Sequence, residues 1–299
     1  MDQVYTAIRQ NHRPGVQVFI QHFPEMINSV DPRGCTLLSC AISWGRVDIV
    51  DLLLQNGADP HLLSAHAPGE HPTLPLEQAM RTRNARIMDS LFSHGVDPDT
   101  PLACLTTEGR QWHLLDFVVD GKVRGDGIAE VLLSHRATLS VIPGQPTDML
   151  GRVLSRDDVP LLRLLLSHGA DPNEGIGNGA ALLHWARPKE AVETLLEHGA
   201  DPNLTTSNGY TALHFGRSSD IVQLLLQHGA DPNARDGYGA TPGWYAARDA
   251  RADLVYLLEK YGGIIDRASS TTDSASVPKP RLPDGKWNHE WNPNQLIDD

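Results

Sequence analysis

The chain has 299 residues, 40% of them hydrophobic and 21% charged, with a formal net charge of -12. An acidic balance of that size repels phosphate backbones and excludes nucleic acid as a general partner, and no run approaches the roughly 20 apolar residues that a bilayer crossing needs. Three cysteines, Cys35, Cys40 and Cys104, are too few and uneven for a disulfide framework, and the start Met1-Asp2-Gln3-Val4-Tyr5 lacks the basic and apolar regions of a secretory leader; from both features an intracellular protein, cytoplasmic or nuclear, is expected.

In chain order, residues 1–28 carry Val4, Ile8, Val16, Val18, Phe19 and Ile20 and predict a helical N-terminal cap, the device that keeps the end of a stacked array soluble. Next, Gly34-Cys35-Thr36-Leu37-Leu38 opens a short helix, and the apolar stripe of residues 49–54 makes a second one that stops at Gly57-Ala58-Asp59-Pro60. That closing phrase returns as Gly95-Val96-Asp97-Pro98, as the weaker Arg136-Ala137-Thr138-Leu139, and as Gly-Ala-Asp-Pro-Asn from Gly169, Gly199 and Gly229, with a last trace at Gly262-Gly263. The steps between copies are 38, 41, 33, 30, 30 and 33 residues. A period near 33 that pairs two short amphipathic helices per unit means that neighbouring units must stack to bury their stripes. Helix starts are marked as well: Ser219-Asp220 reads as a cap, and Pro188 as a first-turn proline before Lys189-Glu190. Asp157-Asp158 reads as helix N-terminal charge favoured by the dipole.

These segments resemble the ankyrin repeat, whose consensus begins Thr-Pro-Leu-His and ends Gly-Ala-Asp; here the matching starts are Thr211-Ala212-Leu213-His214 and Thr241-Pro242. The resemblance implies an all-α solenoid of about seven helix-turn-helix units with β-hairpin-like fingers. The expected units are 29–61, 62–99, 100–139, 140–173, 174–203, 204–233 and 234–263, and residues 264–299 are expected to form a flexible, disordered C-terminal tail. Several departures are visible. Residues 61–72 make a long finger. Residues 112–119 read as the first helix of the third unit with an insertion at 121–127, or alternatively as its second helix. Units five and six are shortened near Arg187-Pro188 and Arg217-Ser218-Ser219, which predicts tighter helix connections there. Arg136 stands where glycine is expected, and a left-handed backbone at that position costs on the order of 1 kcal/mol.

The resemblance implies a non-catalytic scaffold or adaptor that binds a protein on the concave surface made by fingers and first helices. Carried over residue by residue, that surface includes Arg33, Trp44, Trp185, Arg187, Tyr210, Arg217, Tyr238 and Arg248. Tyr, Trp and Arg are the side chains that dominate interface energetics. Tyr210 and Tyr238 are expected to be exposed, whereas Trp185 and Trp244 serve either the partner or the packing between units. The acidic balance favours a partner with basic patches, and the array is expected to be a monomer. In the family, the histidine closing the helix-start motif, here His184 and His214, bonds backbone groups between units.

Other chemistry is thinly supported. His61, His66 and His71 beside Glu70 are zinc-compatible residue types, but five-residue steps in a loop do not define a tetrahedral site. The glycines at 175–179 and 237–239 do not follow a strand in a βαβ unit and read as finger turns rather than phosphate loops. No nucleophile, base and oxyanion donor can be assembled, so neither a metal nor a cofactor is expected. Two other readings stay open: a ubiquitin-ligation adaptor or transcription regulator that uses Trp287 and Trp291 of the tail as a second contact, and an enzyme or accessory with a pocket at the 61–71 loop.

Overall fold

The computed structural model describes residues 2–64, 72–100, 102, 106–107, 110–111, 113–121, 127–139, 149–176, 180–216 and 218–265. It is all-α, with fifteen α-helices among the described residues and two-residue strands only in the fingers. Residues 1–143 and 144–299 form two compact units.

In the first unit, α1 (Asp2–Arg9) and α2 (Arg13–His22) pair through Val4, Ile8, Val16 and Ile20. Then come α3 (Leu37–Ser43) with α4 (Val47–Gln55), α5 (Pro75–Thr82) with α6 (Ala85–Ser93), and α7 (Leu114–Val119) with α8 (Ile128–Ser134). The strands β1 (Thr106–Thr107) and β2 (Arg110–Gln111) pair antiparallel. The second unit holds α9 (Met149–Leu154), α10 (Val159–Ser167), the β3–β4 hairpin (Gly175–Ile176, Ala180–Ala181), α11 (Leu182–Trp185), α12 (Lys189–Glu197), the 3-10 turn Ala212–Phe215, α13 (Ser219–Gln227), α14 (Pro242–Arg248) and α15 (Ala252–Lys260).

The leucine stripes do what their spacing predicts. Leu53, Leu91, Leu132, Leu165 and Leu195 are fully buried, each in the second helix of a pair. Each second helix then stops in the same way: Gly57, Gly95, Gly169, Gly199, Gly229 and Gly262 all have φ between 83° and 92°. The following amide reaches back five residues, as in Ala58 N–H to Leu53 O at 3.0 Å. Arg136 makes this turn at φ 63°, so the strain expected there is present. Its neighbour Ala137 bonds Leu132 O at 2.9 Å like the rest.

Two helix starts differ from the sequence reading. The cap of α13 is Ser218, not Ser219-Asp220: Ser218 is extended, and its Oγ accepts the Ile221 N–H at 3.3 Å. Pro188 occupies the cap position itself, with Lys189 as the first helical residue. Asp158 caps α10, its carboxylate accepting the Leu161 N–H at 3.2 Å.

A feature not anticipated from the repeat phrase links successive turns. Asn203 accepts the Asp231 N–H at 2.7 Å and donates to Gly229 O at 3.0 Å. Asn173 and Asn233 make the same pair of bonds one unit earlier and one unit later, and Asn28 makes it to Asp59 and Gly57. Asp99 takes this place toward Thr138. Each asparagine therefore clips its own closing turn to the next. Two net hydrogen bonds predict that Asn203→Ala lowers stability by about 1–2 kcal/mol, measured by chemical denaturation, whereas an equivalent change at the exposed Gln227 is expected to be near neutral.

Candidate partner-binding surface

Fingers and first helices supply the candidate residues in each unit. In the first, the finger is closed by Asp31, whose buried carboxylate accepts the N–H groups of Arg33 and Cys35, both at 2.9 Å. Gly34 turns the chain at φ 85°. Burial pushes the Asp31 carboxyl up, but the bonds from Cys35 and Arg33 outweigh it and hold it below its ordinary range. The Arg33 side chain pairs with Asp31 at 2.9 Å and remains 62% exposed. Trp44, at the end of α3, is 46% exposed, and the Arg9 guanidinium of α1 lies 4.9 Å above its ring. With Tyr5 and Cys40 these residues line a cavity of about 270 Å³. Burial pushes the Cys40 thiol up to about 12 and raises Cys35 too, so both are poor nucleophiles.

In the second unit, Asp236 repeats the role of Asp31. It accepts the N–H groups of Tyr238 and Ala240 at 2.9 Å each, and it also takes a 2.6 Å hydrogen bond from the Tyr245 hydroxyl. Tyr245 and Tyr210 have phenols raised chiefly by burial. Tyr238 at the finger tip is 39% exposed. The Arg248 guanidinium stacks 4.9 Å from the Tyr245 ring and 5.4 Å from Trp244.

The expected exposure of Tyr210 is overturned: it is 8% exposed. Its ring packs edge-on against His214 at 5.7 Å and Tyr245 at 6.1 Å, and its hydroxyl lies 3.4 Å from that of Tyr245. The residue is part of the packing between units, its ring and hydroxyl meeting Tyr245 of the next first helix. Trp185 is half-buried and Arg187 exposed. Arg217 lies outside the described residues, as do His66, Glu70, His71, Cys104, Trp287 and Trp291. Among the described residues no group of three or more metal-ligating side chains converges, and no helix is long and apolar enough to cross a membrane.

The helix-start histidines do bridge units. His184 accepts the Ala181 N–H at 2.9 Å and reaches Tyr210 O at 2.9 Å; His214 accepts the Thr211 N–H at 3.0 Å and reaches Ala240 O at 3.3 Å. One nitrogen accepts and the other donates, which requires neutral imidazole. Burial accordingly holds His214 below its ordinary value. A histidine shifted downward binds fewer protons folded than unfolded, so its stabilisation is complete above the unfolded value of about 6.5 and is lost as pH falls below it. The melting temperature is therefore expected to drop from pH 7.5 to pH 5, and His214→Gln to flatten that slope in a pH series of thermal melts.

The sequence reading missed Arg9, Asp31, Asp236 and Tyr245. The aspartates carry a local signal, the Asp-x-x-Gly spacing of Asp31 to Gly34 and Asp236 to Gly239, which marks a side-chain-closed turn. Arg9 carries none, since its stacking on Trp44 joins residues 35 apart.

Comparison with known proteins identifies the repeat. The family model for ankyrin repeats matches in three copies, over residues 3–64, 150–236 and 183–268. An ankyrin repeat protein of fowlpox virus (strain NVSL) is 36% identical over 72 residues, a stretch that is 24% of this chain and 15% of that relative's length.

Proposed function

This chain belongs to the ankyrin repeat family, whose repeats generally mediate protein–protein interaction and which is typically non-enzymatic, and we propose that it is a non-catalytic scaffold or adaptor that holds a partner protein on its finger and first-helix surface. The observation that carries this reading is the guanidinium-covered tryptophan Trp44 at a first-helix terminus, supported by the exposed Tyr238 at a finger tip. An exposed aromatic held in place by a stacked arginine loses little side-chain freedom on binding. The net charge of -12 favours a partner with basic patches and a salt-sensitive association rate.

Partners captured from native lysate by the full chain are to be compared with those captured by Trp44→Ala, Tyr238→Ala and Tyr256→Ala. Tyr256 is 71% exposed on α15, a second helix, and serves as the control. Loss of a hot-spot side chain typically costs about 2 kcal/mol, roughly a 30-fold loss of affinity. The expected result is that the first two variants lose the partner at unchanged melting temperature and the third keeps it. Equal capture by all three discards the surface.

A further inference from the structure

The first helix pair has an outer side that no other described element covers. With one side, α1 and α2 pack on α3 and α4. On the other, residues of α1 and α2 and of their two flanking turns line an open groove of about 480 Å³, to which neither α3 nor α4 contributes. Phe19 shows why this side is unusual. It stands seven residues after the cap residue His12, the place that Leu53, Leu91, Leu165 and Leu195 hold after the caps of α4, α6, α10 and α12. Those leucines are fully buried, whereas Phe19 is only half-buried. Beside it, Val18 is 53% and Phe23 47% exposed, and the Phe19 and Phe23 rings lie 5.4 Å apart. The helical cap expected from the sequence therefore presents an apolar ridge where a terminal repeat ordinarily turns a polar face to water.

The polar side chains on the rim are engaged locally. Thr6 donates to Asp2 O at 2.8 Å, His12 accepts the Gly15 N–H at 3.1 Å, and His22 donates to Val18 O at 2.8 Å. Charge decides what fits. None of the eleven described residues that line the groove is Asp, Glu, Lys or Arg, in a chain of net charge -12. A strongly basic or acidic partner finds no counter-charge here. A second copy brings the same uncharged surface, so no like charges meet in the contact. Only the net charges of the two chains repel, through a field that salt screens within about 10 Å. The patch also holds both a groove and projecting side chains, Val18 and Phe23, as a self-complementary two-fold contact requires.

We propose that this side of α1 and α2 docks a second copy of the chain in a two-fold contact centred on Val18, Phe19 and Phe23. The contact replaces the monomer expected from the sequence. Its size sets its strength: the ten residues of α2 and a width of two helices give about 300 Å² per copy, below the roughly 800 Å² of a standard interface, so the dimer is weak and reversible. Neither Trp44 nor Tyr238 lines the groove, and the contact is separate from the partner surface proposed above.

The test is sedimentation velocity of the full chain from about 1 to 300 µM, at about 50 and 300 mM NaCl. The expected result is a monomer–dimer equilibrium that strengthens with salt, the opposite of a contact held by charge pairs. Val18→Lys is expected to weaken the dimer at least about tenfold, although it reduces the net negative charge. Tyr256→Lys makes the same charge change at a 71% exposed aromatic on α15 and is expected to dimerise like the unmodified chain. If circular dichroism shows that Val18→Lys does not fold, Phe23→Ser takes its place. Dimerisation that persists in a folded Val18 or Phe23 variant, or that Tyr256→Lys weakens equally, overturns the proposal. So does a monomer at every concentration, whether the groove is then bare or held by the Trp287–Trp291 segment, which shifts of those two indole NMR signals on Val18→Lys would reveal. None of these outcomes bears on capture of a partner through Trp44 and Tyr238.

Discussion

Asp236→Ala is expected to lower the stability of the second unit by about 3–5 kcal/mol. Asp236 is 6% exposed and satisfies three donors at once: the Tyr238 and Ala240 N–H groups and the Tyr245 hydroxyl. Truncating it leaves the phenol without its acceptor in a buried site and opens the finger turn, and each orphaned donor costs about 1–3 kcal/mol. Tyr245→Phe removes the phenol's bond to Asp236 and its longer contact to the Tyr210 hydroxyl, leaves both finger bonds intact and is expected to cost about 1–1.5 kcal/mol. Chemical denaturation combined with hydrogen exchange at residues 236–240 checks the ordering. If Asp236→Ala costs no more than Tyr245→Phe, the carboxylate does not hold the finger, and the interpretation of the Asp-x-x-Gly turn is wrong.

Gly209→Ala is expected to cost about 3 kcal/mol through two independent effects. The residue sits at φ 79°, where a side chain costs about 1–2 kcal/mol. A Cβ there would also lie 2.8 Å from the Gly237 nitrogen and 3.0 Å from the Asp236 carbonyl carbon, both backbone atoms that cannot rotate away. Relieving that contact pulls apart the Gly237 N–H to Asn208 O bond, 2.7 Å long, that joins adjacent fingers. Gly199→Ala is the control: its φ is similar, at 90°, but nothing lies within 4 Å of a Cβ at that position. It is expected to show the conformational cost alone, about 1 kcal/mol. Equal losses for the two variants, measured by urea titration, contradict the close approach of the fingers.

These two predictions show which parts of the molecule were legible in advance. The helix pairs were, because apolar residues three and four apart have one buried side to share, and a stripe such as residues 221–226 has no stable solution except against a neighbour. The closing glycines were legible for a comparable reason, since the left-handed turn penalises every other residue. The left-handed residue in the loop inside most pairs was not. It is Gly45, Gly121 or Gly216 in some pairs, but Asn11, Arg83, Asp157 or Ala250 in others. With no common residue type, the position emerges only when the dihedral angles are compared. The four non-glycine cases each carry about 1 kcal/mol of strain that the packed helices on either side overcome.

The candidate surface was legible in part. Residue type and register placed Arg33, Trp44, Tyr238 and Arg248 at finger or first-helix positions, but the same reasoning misjudged Tyr210. Register states where a side chain begins, and the direction it takes depends on what surrounds it: the Tyr210 ring lies inward, edge-on to His214 of its own unit and to Tyr245 of the next. By itself, the sequence determined the repeat, its period, the glycine-closed ends of the second helices and the acidic character of the protein, all of which are written locally within one unit. Only the tertiary structure decided the asparagine clips, the Tyr210–Tyr245–Asp236 network and the Arg9–Trp44 stack. Each of these joins groups from separate turns, helices or units, and their energies depend on how neighbouring elements approach in space.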